Sequence, residues 1–155
     1  MAKEVMRRRA SDNVYLHKDF HGALSAGIEY LHRRYGEEAV RAYLRQFTRS
    51  YYAPLMQDIQ ARGLRALKEH LEQVYQREGV APDTILSDDE LLVKVDSCPA
   101  VAHMRSRGYP VAQLFYETTR TVNEALCEGS PFRAELLQYD PQTGRTAMRF
   151  RRARR

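Results

Sequence analysis

The chain has only two cysteines in 155 residues. That is too few for the disulfide framework of a small secreted domain, so a reducing cytoplasm is the expected compartment. No apolar run approaches the roughly 20 residues that a membrane-spanning helix needs. The basic stretch Met1–Ala10 has no apolar segment behind it, and a secretory signal is not expected. No helix-turn-helix, zinc-finger or RNA-recognition signature occurs, so specific nucleic-acid binding is not expected either. Neither a His-Glu-x-x-His pattern nor a paired-cysteine motif marks a metal centre. Internal repeats, low-complexity tracts and linkers are also lacking. Residues 15–152 therefore read as one domain, between a flexible basic lead (1–14) and a basic tail (153–155).

What is present suits a folded domain: 43% of residues are apolar and 29% charged, in a chain long enough to bury a proper core. The net charge of +5 is unevenly spread. Residues 1–10 hold four basic side chains and one acidic, and residues 149–155 hold five arginines. The remainder has 16 basic and 19 acidic residues, a balance of −3. Basic ends can hold phosphates non-specifically, but solvated termini are the plainer reading.

Apolar residues in the first half recur at helical spacing. Phe20, Leu24, Ile28 and Leu31 predict a helix from about residue 18 to 34, stopped by Tyr35-Gly36. Val40, Tyr43, Leu44, Phe47 and Tyr51 predict a second helix, broken or kinked by Pro54. A segment from Leu55 to Arg62 follows, then a helix over 64–78 with Leu64, Leu67, Leu71, Val74 and Tyr75 on one face. Residues 80–88 read as a loop marked by Pro82.

The second half changes period. Glu90 to Val95 predicts a strand, and a long helix is expected from Val111 to Cys127. Runs 132–139 and 146–151 flank Asp140-Pro141-Gln142-Thr143-Gly144, a turn composition that predicts a hairpin. The fold class is α+β, with N-terminal helices packed on a small antiparallel sheet that ends in a C-terminal β-hairpin.

Between the strand and the next helix lies Asp96-Ser97-Cys98-Pro99. Pro99 suits the first helical position, which puts Cys98 at the N-cap. Unpaired amides and the helix dipole there favour an anion, so the thiol is a candidate for a lowered pKa and greater reactivity than Cys127, at a helix C-terminus. The plainer reading is a small buried residue at a corner.

Several ordered phrases resemble a known family. They are Lys18-Asp19-Phe20-His21-Gly22, Tyr35-Gly36-Glu37-Glu38-Ala39-Val40, Tyr43-Leu44, Tyr51-Tyr52-Ala53-Pro54-Leu55, Gly63-Leu64, Lys68-Glu69-His70-Leu71, Glu78-Gly79 and Cys98-Pro99-Ala100-Val101. Together, over about residues 15 to 152, the chain resembles the L-2-amino-thiazoline-4-carboxylic acid hydrolase family. The resemblance implies opening of a thiazoline ring to N-carbamoyl-cysteine. More distantly, the late helix and closing hairpin resemble four-vinyl-reductase-type small-molecule-binding domains. Those often carry a cysteine on the final strand, where this chain has Thr146-Ala147-Met148.

Hydrolysis at an amidine-like carbon needs an activated water, an acid for the departing sulfur and a cation for the substrate carboxylate. Asp19 and His21, with His17 nearby, form a candidate base or metal-ligand cluster, the alternative being a capped helix start with exposed imidazoles. Cys98 and His103 are a candidate pair, although a spacing of five is awkward on a helix. Arg49 is a candidate carboxylate clamp, and Tyr51 and Tyr52 are candidate substrate contacts; core packing is the alternative for one of the two, as for Tyr43 and Phe47. Glu117 is either an exposed helix residue or a half-buried acid with a raised pKa. A divalent metal ion remains an open cofactor, and a homodimer an open assembly. The rival to a hydrolase is a non-catalytic domain that encloses a small ligand; a nucleic-acid accessory role through the arginine ends is the weakest reading.

Overall fold

The computed structural model describes residues 18–153, so the lead, His17 and the last two arginines lie outside the described residues. Four helices come first: α1 (Phe20–Tyr35), α2 (Glu37–Tyr51), α3 (Ala53–Arg62) and α4 (Leu64–Arg77). Gly36 and Gly63 separate two of the junctions, and the third falls at Tyr52, because Pro54 is tolerated only in the first turn of the next helix. Then follow β1 (Asp83–Leu86), β2 (Glu90–Val95), α5 (Pro99–Ser106), α6 (Glu117–Leu126), β3 (Phe132–Tyr139) and β4 (Thr146–Arg152). The strands form one antiparallel sheet in the order β1-β2-β4-β3. The fold is α+β, with helices first and a closing hairpin, as the change of period predicts.

Alternation decides which sheet face is covered. Leu91, Val93 and Val95 of β2 and Met148 and Phe150 of β4 point inward, against Ile59, Leu64, Leu67 and Leu126 from α3, α4 and α6. A second apolar cluster, around Ile28, Val40, Leu44, Val101, Met104, Leu114 and Phe115, knits α1, α2 and α5 together. Val122 of α6 packs against both clusters.

Four expectations are corrected. The stretch read as a loop contains β1, four residues paired with β2 from Asp83↔Lys94 to Leu86↔Leu91. An edge strand this short shows too few alternations to stand out. The late helix begins at Glu117 rather than Val111. The Ala112 amide is taken by the Ser25 hydroxyl at 2.8 Å, and that hydroxyl donates to the Pro110 carbonyl at 3.1 Å. This tie to α1 holds 111–116 in tight turns, with i+3 bonds such as Phe115 N–H to the Ala112 carbonyl. On α2 the buried line is Val40, Leu44 and Thr48, whereas Tyr43, Phe47 and Tyr51 lie on an adjoining, exposed strip. Phe20, expected in the first helix's stripe, is 70% exposed.

Glu117 is neither expected form. Its side chain is fully buried, yet it stays an ion. Burial pushes its pKa up, but hydrogen bonds from Thr121, Arg120 and Arg41 outweigh that and hold it below the usual carboxylate range. Arg41 of α2 donates at 3.0 Å and Thr121 at 2.6 Å. This lock staples α2 to α6. Removing one partner of such a buried pair costs about 3–5 kcal/mol; the lower end applies because both guanidiniums keep some water access.

Two outcomes follow for stability. Glu117→Gln should lower the unfolding free energy by about 3 kcal/mol. A carboxylate whose folded pKa is depressed adds stability above its unfolded value, about 4.3, and loses it as pH falls through the folded value. Chemical denaturation from pH 7 to 3 should therefore show a shallower acid loss in Glu117→Gln than in the wild type. Gly144, at φ +68°, allows the Cys98 Cβ to sit where its own Cβ would be. Gly144→Ala should cost at least about 3 kcal/mol from strain plus overlap. Gly79→Ala, at φ +77° in open space, should cost only about 1–2 kcal/mol; thermal melts of both variants check the difference.

Candidate functional site

The first turn of α1 is fastened on two sides. Asp19 Oδ1 lies 3.0 Å from His103 Nε2 of α5 and accepts the Tyr109 hydroxyl at 3.3 Å. His21 Nε2 lies 3.1 Å from Glu78 Oε1, just past the end of α4, and both of these side chains are largely buried. The expected Asp19–His21 grouping therefore divides into two imidazole–carboxylate pairs. Positions two apart on a helix differ by about 200° in direction, so the two side chains find different neighbours.

Cys98 is the N-cap of α5, with Pro99 in the first turn. Its N–H donates to the Thr143 carbonyl at 3.0 Å, which ties the corner to the β3–β4 turn. The lowered pKa expected from this position does not occur. Burial pushes the Cys98 thiol up and the Glu78 carboxylate adds to the rise, while the Ala100 and Val101 amides pull it down without making a capping hydrogen bond. Desolvation outweighs the helix dipole here. The expected Cys98–His103 pair is not formed either, since His103 turns to Asp19.

What gathers around Cys98 is a different set. The thiol and Glu78 are electrostatic neighbours of Tyr75, whose hydroxyl burial raises well above its ordinary range. Tyr139 also feels the thiol, and burial pushes its pKa up to about 12. Both phenols are protonated donors at neutral pH. Cys98 and Glu78 thus lie within electrostatic range of Tyr75, and Cys98 of Tyr139, while His21 joins these surroundings only through its bond to Glu78. Glu78 belongs to a phrase carrying the family resemblance; Tyr75 is hidden in the apolar face of its helix, and Tyr139 at the end of the strand run before the hairpin turn.

The other candidates lie elsewhere. Arg49 is an exposed arginine whose fork is filled by Glu128, at 2.7 and 3.0 Å, so it is not an open carboxylate clamp. Tyr51 is 68% exposed and stacks on Phe47 at 5.2 Å. Tyr52 is half-buried between Phe47, Tyr51 and the His70 ring, and burial raises its hydroxyl. Glu117 serves the α2–α6 lock. Among the described residues, no three or more His, Cys, Asp or Glu side chains are grouped to hold a metal ion. No helix among them is long and apolar enough to cross a membrane.

Two grooves flank residues 111–113. The larger, about 1140 Å³, is open and follows α1 from Asp19 to Arg34, a length of about 22 Å at 1.5 Å per residue. The smaller, about 470 Å³, lies between α5, residues 111–116 and the β3–β4 hairpin. Val111 and Leu136 form apolar wall, and Arg105, Gln113, Tyr116 and Tyr139 supply polar groups. That volume and lining suit a small molecule. Tyr139 belongs both to this groove and to the surroundings of Cys98.

Alkylation followed by mass spectrometry should find both thiols slow at neutral pH. Half-buried Cys98 should react before buried Cys127, whose pKa burial pushes up to about 12. Reaction of Cys127 first, or fast labelling of Cys98 at pH 7, would contradict the burial argument. Compared with family models and with curated proteins, the sequence matches none.

Proposed function

We propose that the chain is a hydrolase of a small heterocyclic carboxylate of the 2-amino-thiazoline kind, working at the junction of α1, α4, α5 and β3. The observation that supports this reading is that Cys98 lies within electrostatic range of Tyr139 and of Glu78, the carboxylate that bonds His21. A purely structural junction has little need of a thiol, an imidazole, a carboxylate and two phenols together. With both cysteines free, the reducing cytoplasm is the compartment it suits.

Ring opening adds a water oxygen to the carbon between nitrogen and sulfur, breaks the carbon–sulfur bond and delivers a proton to the sulfur. His21, held by Glu78, is the proposed base that takes the proton from the attacking group. That group is either water or the Cys98 thiol; the raised thiol needs such a base before it can attack, and on that route water then cleaves the carbon–Cys98 bond, supplies the product oxygen and returns the proton to the thiol. The protonated Tyr139 hydroxyl is the donor for the departing sulfur.

A second reading is favoured by one observation, the seating of Cys98 against Gly144. It makes the cysteine a packing residue, and the domain a non-catalytic binder of a small ligand in the 470 Å³ groove.

Purified protein, supplied in turn with manganese, zinc and no metal, should convert the L-thiazoline acid to N-carbamoyl-cysteine. His21→Gln should lose about 100-fold or more of kcat. Cys98→Ala separates the two attacking groups: loss of turnover with retained binding assigns the thiol, and undiminished turnover assigns water activated by His21 and Glu78. Absence of turnover under every metal condition, with retained ligand binding, would leave the binding reading in its place.

A further inference from the structure

We infer that the groove between α5, residues 111–116 and the β3–β4 hairpin receives the acid end of a small flat carboxylate, with Arg105 as its anion clamp. The ligand's chemistry rests on the hydrolase reading above, while the site itself rests on the groove. A carboxylate ligand needs an arginine that is not already neutralised. Around the fold most arginines are engaged: Arg41 and Arg120 by Glu117, Arg49 by Glu128, Arg62 by Asp58 and Glu69, and Arg149 and Arg151 by Glu135. Arg105 differs. Its one hydrogen bond runs from a terminal nitrogen to the Pro141 carbonyl at 3.1 Å, and among the described residues no carboxylate pairs with it.

That single bond orients the guanidinium on the hairpin and leaves the rest of its fork available at the groove. The walls suit a flat body. The Tyr116 and Tyr139 rings lie 5.9 Å apart at 50°, and Val111 and Leu136 add apolar surface. Gln113 offers an amide that can donate to one ligand atom and accept from another. A flat acid with its carboxylate at Arg105 would lie against Tyr139, the residue that links the groove to Cys98. Arg105 in this arrangement is a binding residue rather than a catalytic one, and it takes the clamp role that Arg49 cannot fill.

Thiazole-4-carboxylate, a flat acid without an amidine carbon to open, tests binding apart from turnover. Nuclear magnetic resonance titration of the wild type should move the signals of Gln113, Tyr116 and Leu136. The uncharged thiazole-4-carboxamide should bind about tenfold or more weakly, the scale of one charge-assisted contact. Arg105→Gln should lose about tenfold in affinity for the acid and Arg105→Lys less, whereas Arg49→Gln should bind as the wild type does. Circular dichroism establishes that each variant is folded; Arg105 is exposed, so its loss should leave the fold intact.

Failure of the acid to bind, equal binding by the amide, or unchanged affinity in Arg105→Gln overturns the inference. The two proposals fail separately. Turnover of the L-thiazoline acid with the same KM in Arg105→Gln as in the wild type leaves the hydrolase reading standing and removes the clamp. Arg105-dependent binding without turnover keeps the clamp and removes the hydrolase.

Discussion

A carboxylate cut off from water needs compensating charge and hydrogen bonds, and Glu117 obtains them from two different helices. Arg41 comes from α2, while Arg120 and Thr121 come from the helix that Glu117 itself opens. The cost of desolvating the ion is met only when α2 and α6 lie side by side, so the network is selective for one docking geometry as well as stabilising. With α6 fixed, Val122 sits between the two apolar clusters, and residues 111–116 must span from α5 to the start of α6. That crossing segment forms a wall of both grooves.

A second constraint acts at the sheet. The Cys98 amide bonds the turn of the last hairpin, and Gly144 gives up the space that the Cys98 Cβ occupies. The start of α5 is thereby set against the β3–β4 turn, and Arg105 near its end reaches the Pro141 carbonyl of the same turn. Two imidazole–carboxylate pairs then draw the first turn of α1 onto α5 and onto the end of α4. The polar junction at Cys98 follows from these three fastenings. It is built by packing contacts, and its chemistry takes its character from burial: the thiol and both phenols hold their protons more tightly than they would in water.

The polar junction and the 470 Å³ groove divide the work that one small substrate would ask of the site. The junction has titratable groups, and the groove has an uncommitted cation with aromatic walls. Tyr139 belongs to both. The aromatic corner of exposed Tyr51 and Phe47 with half-buried Tyr52 stands apart from this arrangement, and the Arg49–Glu128 pair is a surface ion pair. Residue type alone made those side chains resemble site residues.

The sequence by itself determined the four leading helices, β2, the corner at Cys98-Pro99 and the closing hairpin, because each carries a local signal. These signals are a 3.6-residue apolar period, a run of branched residues, a proline suited to a first turn, and a proline–glycine turn composition. Tertiary structure alone decided whatever depends on distant partners. Ser25 kept residues 111–116 out of the helix, and β1 became a strand through its pairing with β2. Glu117 became a buried ion through Arg41, 76 residues away in sequence, and His21 found Glu78 across 57 residues. The position of Cys98 at a helix start was legible, but its pKa was not. A local dipole can be read from neighbouring residues, whereas the burial that overrides it comes from packing against the hairpin, and the added charge from Glu78, 20 residues back in the chain.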